Sequence, residues 1–495
     1  MNAETSGEIS ETILDADILA SREAGGRFLR GSTMRIAAYC SGLLVGLAST
    51  PLVTRHLGPT DWGRFITVTS LIFIVGSLAE GGVGNLGVRE FSVGNEATRR
   101  SFMSNLIGLR IVLALTGAAA AIAFAVLAGY PRVLIEGTAL ACVNLVLEAL
   151  RATIAVPLTA RLRLGWLAVS DFTGQFVTAV FMVLLVIGGA KLLPFYAVGI
   201  AAALATSALT VTLVRSEISL RPSFSITQWR SLMSDSLVYA AATALGVVYF
   251  RIVVVAMSLL ATKTQTGYFS LSFRVLDIVN GVPWILVASA FPILARAAHD
   301  DDERLRYALQ RLFDGSVVVG ACVSLCVIIG APFAVAVVGG PKYDPSVEVL
   351  QIMGVGITGT FLVATWSFAL LTLRLYRDLI VINGMIVVLA VTLSLFLIPS
   401  HEARGAAVMT ATLEITLAGA YAALLGHRRP DLRPSLRLVP RVALALAAAL
   451  AVGAILPVPA VAAVAVSALV MLAGLLALRA VPMEFLHALQ RRPAD

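Results

Sequence analysis

Charged residues are scarce in this 495-residue chain: Asp, Glu, Lys and Arg make up 13% of it, and hydrophobic residues make up 58%. A soluble globular domain carries about 25% charged residues, so this composition excludes a string of ordinary soluble domains. Long apolar blocks recur between short charged connectors. Because backbone polar groups in lipid must be hydrogen-bonded within their own segment, apolar blocks of about 20 residues predict membrane-spanning helices.

Cysteines are also few, and all four lie within apolar blocks: Cys40, Cys142, Cys322 and Cys326. These positions exclude an extracellular disulfide framework and a cysteine-based metal cluster, and we interpret Cys322 and Cys326 as small helix-packing residues. The sequence contains no nucleotide-binding P-loop, zinc motif or nucleophile elbow. We therefore predict a protein that is not an enzyme and that has no catalytic residue, no metal and no cofactor.

The apolar blocks predict an all-α polytopic membrane protein with about fourteen transmembrane helices. The predicted spans are 34–54, 64–86, 103–128, 133–156, 166–190, 193–214, 233–260, 268–294, 312–339, 347–373, 379–398, 403–426, 439–456 and 459–480. The division between the last two spans depends on the break at Pro457-Val458-Pro459.

Basic residues alternate between the two sides of this predicted topology. About 26 of them lie in connectors on the side of the N-terminus, and about seven lie on the opposite side. The seven are Arg55, Arg64, Arg132, Lys191, Lys263, Lys342 and Arg404. By the positive-inside rule, both termini then face the cytoplasm and the protein lies in an inner membrane. This orientation also explains the net charge of +8, so no nucleic-acid partner is predicted.

Two short strings recur at corresponding helices. Thr60-Asp61-Trp62-Gly63-Arg64-Phe65 opens the second predicted span, and Thr264-Gln265-Thr266-Gly267-Tyr268-Phe269 opens the eighth. Arg163-Leu164 precedes the fifth span and Arg374-Leu375 precedes the eleventh. The offsets are about 204 and 211 residues, which is close to one six-helix unit. An even number of helices per unit gives a parallel repeat.

This repeat predicts the domain organisation. Two parallel six-helix lobes are expected, followed by a C-terminal helix pair. The predicted segments are a polar cytosolic extension at 1–30, an N-lobe at 31–214, a cytoplasmic connector at 215–232, a C-lobe at 233–426, and the last helix pair with its tail at 427–495. The extension lacks the basic and apolar pattern of a cleavable signal peptide.

Several motifs resemble those of one family of membrane proteins. Thr54-Arg55-His56-Leu57-Gly58-Pro59, continuing to Gly63, is similar to the R-x-L-G-P-x-x-x-G turn of Wzx-type oligosaccharide flippases, a family of the multidrug/oligosaccharidyl-lipid/polysaccharide (MOP) superfamily. Further similar strings are Ala79-Glu80-Gly81-Gly82-Val83-Gly84-Asn85, Gly267-Tyr268-Phe269-Ser270-Leu271-Ser272-Phe273-Arg274, Phe291-Pro292-Ile293-Leu294-Ala295-Arg296 and Gly405-Ala406-Ala407. The resemblance covers roughly residues 30–430.

The resemblance implies a MATE-like fold, in which two six-helix lobes flank a central cavity that opens to each face in turn. The implied cargo is an undecaprenyl-pyrophosphate-linked oligosaccharide, flipped across a bacterial inner membrane for polysaccharide or O-antigen biosynthesis. In one respect the sequence departs from the family. Many relatives carry an Asp where Phe250 precedes Arg251, so an ion-coupling role at that position loses its support.

Ionisable residues inside predicted spans are costly and usually face a cavity or a partner. The candidates are Glu80, Arg110, Glu136, Glu148, Arg151, Asp171, Arg251, Arg274, Asp277, Glu348 and Glu414. Two pairs, Glu148 with Arg151 and Arg274 with Asp277, are three residues apart and share a helix face, so each pair can neutralise itself.

Arg251 has no acidic neighbour three or four residues away. Three interpretations stay open: a cavity residue that binds an anion such as a pyrophosphate, an anchor at the membrane interface, or a partner of a residue on another helix. The predicted substrate-binding residues are Arg251, Arg274, Arg110, Glu80 and Asp277.

The favoured hypothesis is a flippase that moves its lipid-linked oligosaccharide by alternating access. The predicted partners are that polyprenyl-pyrophosphate glycan, membrane lipids, an H+ or Na+ coupling ion, and a polysaccharide polymerase complex. A cation-coupled multidrug or metabolite exporter of the same superfamily is the alternative. A membrane glycosyltransferase is disfavoured because no predicted external connector exceeds about a dozen residues, and a scaffold would not explain the buried arginines.

Overall fold

The structure is a computed structural model, and it describes residues 22–80, 82–93, 96–283, 287 and 302–480. The described residues form fourteen α-helices and no β-strand. The helices are α1 Arg22–Glu80, α2 Val83–Val93, α3 Glu96–Leu127, α4 Arg132–Ile154, α5 Val156–Ala160, α6 Leu164–Ile187, α7 Leu192–Val214, α8 Ile226–Leu260, α9 Lys263–Val279, α10 Asp302–Val338, α11 Ser346–Thr372, α12 Tyr376–Arg428, α13 Val439–Ile455 and α14 Ala460–Ala477. Short 3-10 turns lie at Pro341–Tyr343, Pro430–Leu432 and Leu436–Leu438.

Two of these helices each hold two predicted spans. Helix α1 breaks at Gly58, whose φ of 70° suits a residue without a Cβ, and Pro59 follows it directly. Helix α12 breaks at Glu402, where φ is 48° in a residue that does carry a Cβ. Such a conformation is uncommon for residues other than glycine. These breaks separate the first predicted span from the second, and the eleventh from the twelfth.

Eleven helical segments within the described residues are long and apolar enough to cross a membrane. The other three predicted spans correspond to the part of α1 before Gly58, to α9, and to the second half of α12. The all-α polytopic fold is therefore confirmed, and the chain is a multi-pass membrane protein. The break at Pro457-Val458-Pro459 is confirmed as well, because α13 ends at Ile455 and α14 begins at Ala460.

The predicted end of the second span is wrong. The span was placed at 64–86, but α1 ends at Glu80 and α2 begins at Val83. Gly82, with a φ of 68°, turns the chain between them. Close packing follows at Gly87, where an added Cβ would lie 2.9 Å from Leu106. Small residues commonly permit such close approach between membrane helices.

Some sequence predictions fall on residues that the structure does not describe. These are residues 1–21 of the predicted extension, Gly81, the Phe291–Arg296 motif and the tail beyond residue 480. Residues 22–30, which were assigned to the extension, form the beginning of α1.

The chain divides into two compact units, each made of several segments. The first unit comprises Met1–Ser49, Ala79–Ala120 and Ala139–Ser236. Its apolar core contains Phe91, Met103, Leu106 and Leu158, with Trp229 packed against it. The predicted connector at 215–232 packs within this unit: Glu217 pairs with Arg161 and Arg163 at 3.0 and 2.9 Å, and the backbone of Ser223 donates to Ser104.

The second unit comprises Thr50–Leu78, Ala121–Thr138 and Leu237–Asp495. Within it, α11 packs between α10 and α12 through small residues. An added Cβ on Gly356 would lie 2.8 Å from the Cα of Ala411, and Ser316 and Thr365 hydrogen-bond across α10 and α11 at 2.7 Å. In membranes, where lipid removes most of the hydrophobic driving force between helices, this close packing and hydrogen bonding holds the helices together.

Candidate functional site

Three charged side chains meet where α8 and α9 run beside each other in the second unit. The Nη2 atom of Arg251 on α8 donates to both carboxylate oxygens of Asp277 on α9, at 2.9 and 3.1 Å. Arg274, one turn before Asp277, reaches the same carboxylate at 3.5 Å. The side chains of Arg251 and Asp277 are only 13% and 19% exposed, and that of Arg274 is 35% exposed. We call these three residues the arginine cluster.

Aromatic rings surround the Arg251 guanidinium. Its carbon lies 4.5 Å from the ring centre of Phe73, 5.5 Å from that of Phe250 and 5.3 Å from that of Phe273. All three distances fall within the range of cation–π attraction. This attraction offsets part of the cost of burying a charge among apolar helices. Phe73 is itself 56% exposed, so one wall of this group is accessible.

The arginine cluster carries two guanidinium groups and one carboxylate, so its net charge is +1. A guanidinium offers five N–H donors in one plane, and Asp277 contacts a single nitrogen of each arginine in the described structure. The arrangement can therefore bind a further anion, and a phosphate or pyrophosphate suits the planar fork of an arginine.

The sequence near Arg251 indicates an arginine without an acidic partner, but in the structure Arg251 is paired. Its partner Asp277 is 26 residues away and lies on the next helix. Of the three interpretations of Arg251, the structure shows a residue paired with another helix, and whether it lines a cavity stays a prediction. Arg274 and Asp277 do form the predicted contact along one helix face.

Arg110 and Glu80 lie in the first unit, so they do not belong to the arginine cluster. Arg110 is 6% exposed, and its Nη1 donates to the carbonyls of Glu80 and Ala79 at 2.9 and 3.2 Å. Its Nε donates to the carbonyl of Ala149 at 3.4 Å. The carbonyls of Ala79 and Glu80 end α1, so Arg110 caps the C-terminus of that helix, where a cation is favourable. The side chain of Glu80 is exposed.

The other predicted charges in the spans are also paired. Arg151 contacts Glu148 at 2.7 Å, as predicted, and Asp171 at 3.5 Å. Glu136 contacts Arg132 at 2.9 Å, and Glu348 contacts Arg404 at 2.5 Å.

Glu414 on α12 differs from these residues, because in the described structure a tyrosine, and not an arginine, donates a hydrogen bond to it. It is 2% exposed, and one of its oxygens accepts a hydrogen bond from Tyr249 at 3.3 Å. The other oxygen, Oε2, has no hydrogen-bond partner among the described residues. A polar layer continues nearby, where Tyr421 donates to Asn383 at 2.6 Å. The sequence identified Glu414 as an ionisable residue inside a span, but gave no sign of its partner Tyr249 on α8.

Comparison with known proteins supplies the family and the fold. The profile of the family described as "Polysaccharide biosynthesis protein" matches residues 52–348, which is more than half of the chain. A search of curated protein sequences finds no match.

Solved structures show the same fold at low sequence identity. A multidrug resistance MATE family transporter of the MOP superfamily in an inward-facing conformation superposes with a TM-score of 0.67 at 13% identity, over 81% of this chain and 98% of the other. The lipid II flippase MurJ in an inward closed conformation gives 0.66 at 13% identity, over 89% and 98%. A MOP superfamily transporter from Pyrococcus furiosus gives 0.57 at 13% identity, over 83% and 96%.

Proposed function

This chain belongs to the family of polysaccharide biosynthesis proteins, and we propose that it flips an undecaprenyl-pyrophosphate-linked oligosaccharide across a bacterial inner membrane. The observation that supports this cargo is the arginine cluster, which has a net positive charge within apolar helices. A cation kept at that cost in a membrane protein usually serves a substrate or ion path. The chain has the fold of MOP-superfamily transporters, which is compatible with alternating access.

In this proposal the two arginines have different roles: Arg251 is held in place by its contacts, and Arg274 moves to the anion. Asp277 fixes the Arg251 guanidinium through one nitrogen, while the rings of Phe73, Phe250 and Phe273 cover its face. The in-plane N–H groups of Arg251 that do not contact Asp277 are then the donors for a pyrophosphate oxygen. Arg274 is more exposed and more weakly held, at 3.5 Å from Asp277. Arg274 can therefore turn toward the anion and lose only this weak contact with Asp277, whereas Arg251 would lose two shorter hydrogen bonds.

The remaining parts of the proposal concern topology and partners. The termini face the cytoplasm, as the excess of basic residues on that side indicates. Residues 31–214 and 233–426 act as two lobes that rock about the glycan head group, and the polyprenyl tail stays in lipid. An H+ or Na+ ion drives the cycle, and a polysaccharide polymerase receives the product. Arg110 and Glu80 are given supporting roles at the end of α1 rather than contact with substrate.

A cation-coupled exporter is the second candidate, and one observation favours it. Glu148 and Asp171 both contact Arg151 in the first unit, so two carboxylates share one guanidinium. Acidic side chains inside an N-lobe are what a site for a coupling cation requires. Substrate selection distinguishes the two candidates directly.

The test is translocation in proteoliposomes that contain either a fluorescent polyprenyl-pyrophosphate glycan or a fluorescent drug. We expect wild type to move the glycan and Arg251→Ala to lose at least about tenfold in rate, since one charge-assisted hydrogen bond is worth that much. Arg132→Ala is the control, because Arg132 is 91% exposed and pairs only along its own helix with Glu136 in the described structure. Wild type that moves the drug and not the glycan refutes the function. An unimpaired Arg251→Ala refutes the site.

A further inference from the structure

The turn at Thr54–Gly63 carries a family motif, yet the long-range hydrogen bonds that Thr54 and Arg55 donate go to the end of α10 and not to the arginine cluster. The turn lies in the second unit and contacts the end of α10 and the beginning of α9. We call the residues that make these contacts the clasp: Thr54, Arg55, Gly63, Gly267, Val338 and Tyr343.

Arg55 and Thr54 together cap the end of α10. The Nη2 atom of Arg55 donates to the carbonyls of Ala336 and Val337, at 2.8 and 2.7 Å. The hydroxyl of Thr54 donates to the carbonyl of Val338. The last carbonyls of a helix have no partner within the helix and favour a nearby cation. Residues about 280 positions earlier in the chain supply that cap here.

Tyr343 adds a further hydrogen bond between the same two segments, and here the donor belongs to the later segment. It is fully buried in the short turn after α10, and its hydroxyl donates to the carbonyl of Thr54 at 3.1 Å. Burial raises the pKa of the Tyr343 phenol above its ordinary value, so the group stays a neutral donor. Tyr130 and Ser258 also hydrogen-bond, at 2.5 Å. Both contacts join early segments of the chain to later ones.

The two glycines of the clasp are the corresponding residues of the internal repeat. Gly63 and Gly267 occupy the same position in the strings that open the second and eighth spans. A Cβ added to Gly63 would lie 2.8 Å from the backbone nitrogen of Gly267. A Cβ added to Gly267 would lie 2.0 Å from the carbonyl oxygen of Pro59. Backbone therefore contacts backbone where the two copies of the repeat meet, and no larger residue fits at either position.

All of these contacts join residues that the repeat assigns to different six-helix copies. The contacts also include or adjoin Arg55, Lys263 and Lys342, which are three of the seven basic residues predicted on the side of the membrane opposite the N-terminus. By the positive-inside rule, that side is external. The partners of Arg55 and Thr54 are backbone carbonyls, which water can satisfy equally well when the contact opens. Such a contact is stable when closed and inexpensive to release.

We propose that the clasp is the lock that closes the external side of this transporter, and that the R-x-L-G-P turn serves closure rather than substrate recognition. This inference rests on the proposed function, because a lock has a use only if the two lobes alternate. Gly63 and Gly267 set how closely the copies approach, and Arg55, Thr54 and Tyr343 hold them together. Opening breaks the cap on α10 and separates the two glycines.

The first test uses a membrane-impermeant thiol reagent on Val338→Cys, in a chain whose four native cysteines are replaced by serine. Arg55→Ala and Gly63→Ala are expected to raise the labelling rate by roughly tenfold, the population change that one hydrogen bond to a charged group can supply. Gly246→Ala is the matched control, because nothing lies within 4 Å of a Cβ added there. Unchanged labelling in both clasp variants overturns the inference.

A cross-link separates this inference from the proposed function. Thr54→Cys with Val338→Cys, oxidised in proteoliposomes, should abolish glycan transport, and reduction should restore it, because the short Thr54 side chain itself contacts the Val338 backbone. The pair Arg132→Cys with Glu136→Cys, on one face of α4, is the control and should leave transport unchanged. Transport that continues through the cross-linked clasp overturns the lock. If wild type moves no glycan but the clasp variants still change labelling as expected, the cargo is wrong and the lock stands.

Discussion

The coupling between Arg251 and Asp277 can be measured with a double-mutant cycle. The variants are Arg251→Ala, Asp277→Ala and the double variant, and the quantity is the free energy of unfolding. The paired atoms lie 2.9 and 3.1 Å apart, and the side chains are 13% and 19% exposed. The pair is therefore largely, though not completely, removed from water. Its energetics should lie between those of a buried and an exposed ion pair.

The two single variants should differ in cost. Removing one partner of a fully buried pair costs about 3–5 kcal/mol, and the residual exposure here reduces the expectation for Asp277→Ala to about 2–3 kcal/mol. That variant also removes the carboxylate between two guanidinium groups. Arg251→Ala leaves Asp277 with Arg274 at 3.5 Å, so we expect only about 1–2 kcal/mol.

The double variant should cost no more than Asp277→Ala alone, because both leave Arg274 without Asp277, but only the single variant also leaves Arg251 without it. The coupling energy is then about 1–2 kcal/mol. Unfolding in mixed detergent and SDS micelles, followed by circular dichroism, measures all four free energies. The exposed pair Arg132 and Glu136 is the control and should show coupling near zero. Additivity of the Arg251 and Asp277 variants within about 0.5 kcal/mol would refute the reasoning.

Three further predictions concern residues away from the arginine cluster. Arg110→Met should lower the free energy of unfolding by about 2–3 kcal/mol, because it removes the hydrogen bonds to the two carbonyls that end α1, those of Ala79 and Glu80. An unchanged midpoint in SDS titration would contradict this. Glu414→Gln should have a free energy of unfolding within about 1 kcal/mol of wild type, since its amide oxygen still accepts the hydrogen bond from Tyr249. Glu414→Ala should lower that free energy by about 2–3 kcal/mol. Equal losses in the two variants would argue against the hydrogen bond. Gly356→Leu should prevent folding, because Gly356 packs against the backbone of another helix, and the yield of folded protein in gel filtration measures this. Gly246→Leu should fold, because nothing lies within 4 Å of a Cβ added at Gly246.

Hydropathy was sufficient to predict the helices, because lipid permits so few backbone arrangements. It was less successful at their ends. The second span was extended to residue 86 because Val83 and Leu86 are apolar, but a chain reversal depends on φ at a single residue, here Gly82. The break at Glu402 carries even less sequence signal, since a charged residue with positive φ is not a usual turn former. Tertiary packing decides such positions.

The sequence leaves open a partner for Arg251 on another helix, but it does not identify that partner. Spacings of three and four residues describe one helix face, whereas Asp277 lies on the next helix. A signal was nevertheless present. α8 ends at Leu260 and α9 begins at Lys263, so the two helices form a hairpin. That arrangement predicts that α8 and α9 are neighbours, but not which residues pair: Arg251 lies nine residues before the end of α8 (260 − 251), whereas Asp277 lies fourteen after the start of α9 (277 − 263).

Arg110 and Arg251 show why a buried arginine does not by itself identify a binding site. Both lie on apolar helices, and sequence alone treats them alike. Arg110 directs its donors at backbone carbonyls that end a helix, and those acceptors are fixed parts of the fold in every state that keeps α1. Arg251 instead contacts a side-chain carboxylate that Arg274 shares. A shared carboxylate can be exchanged for another anion at modest cost, whereas the cap that Arg110 provides offers no such exchange, because Arg110 is only 6% exposed. The identity of the acceptor, rather than the depth of burial, therefore makes the arginine cluster the candidate for binding a pyrophosphate.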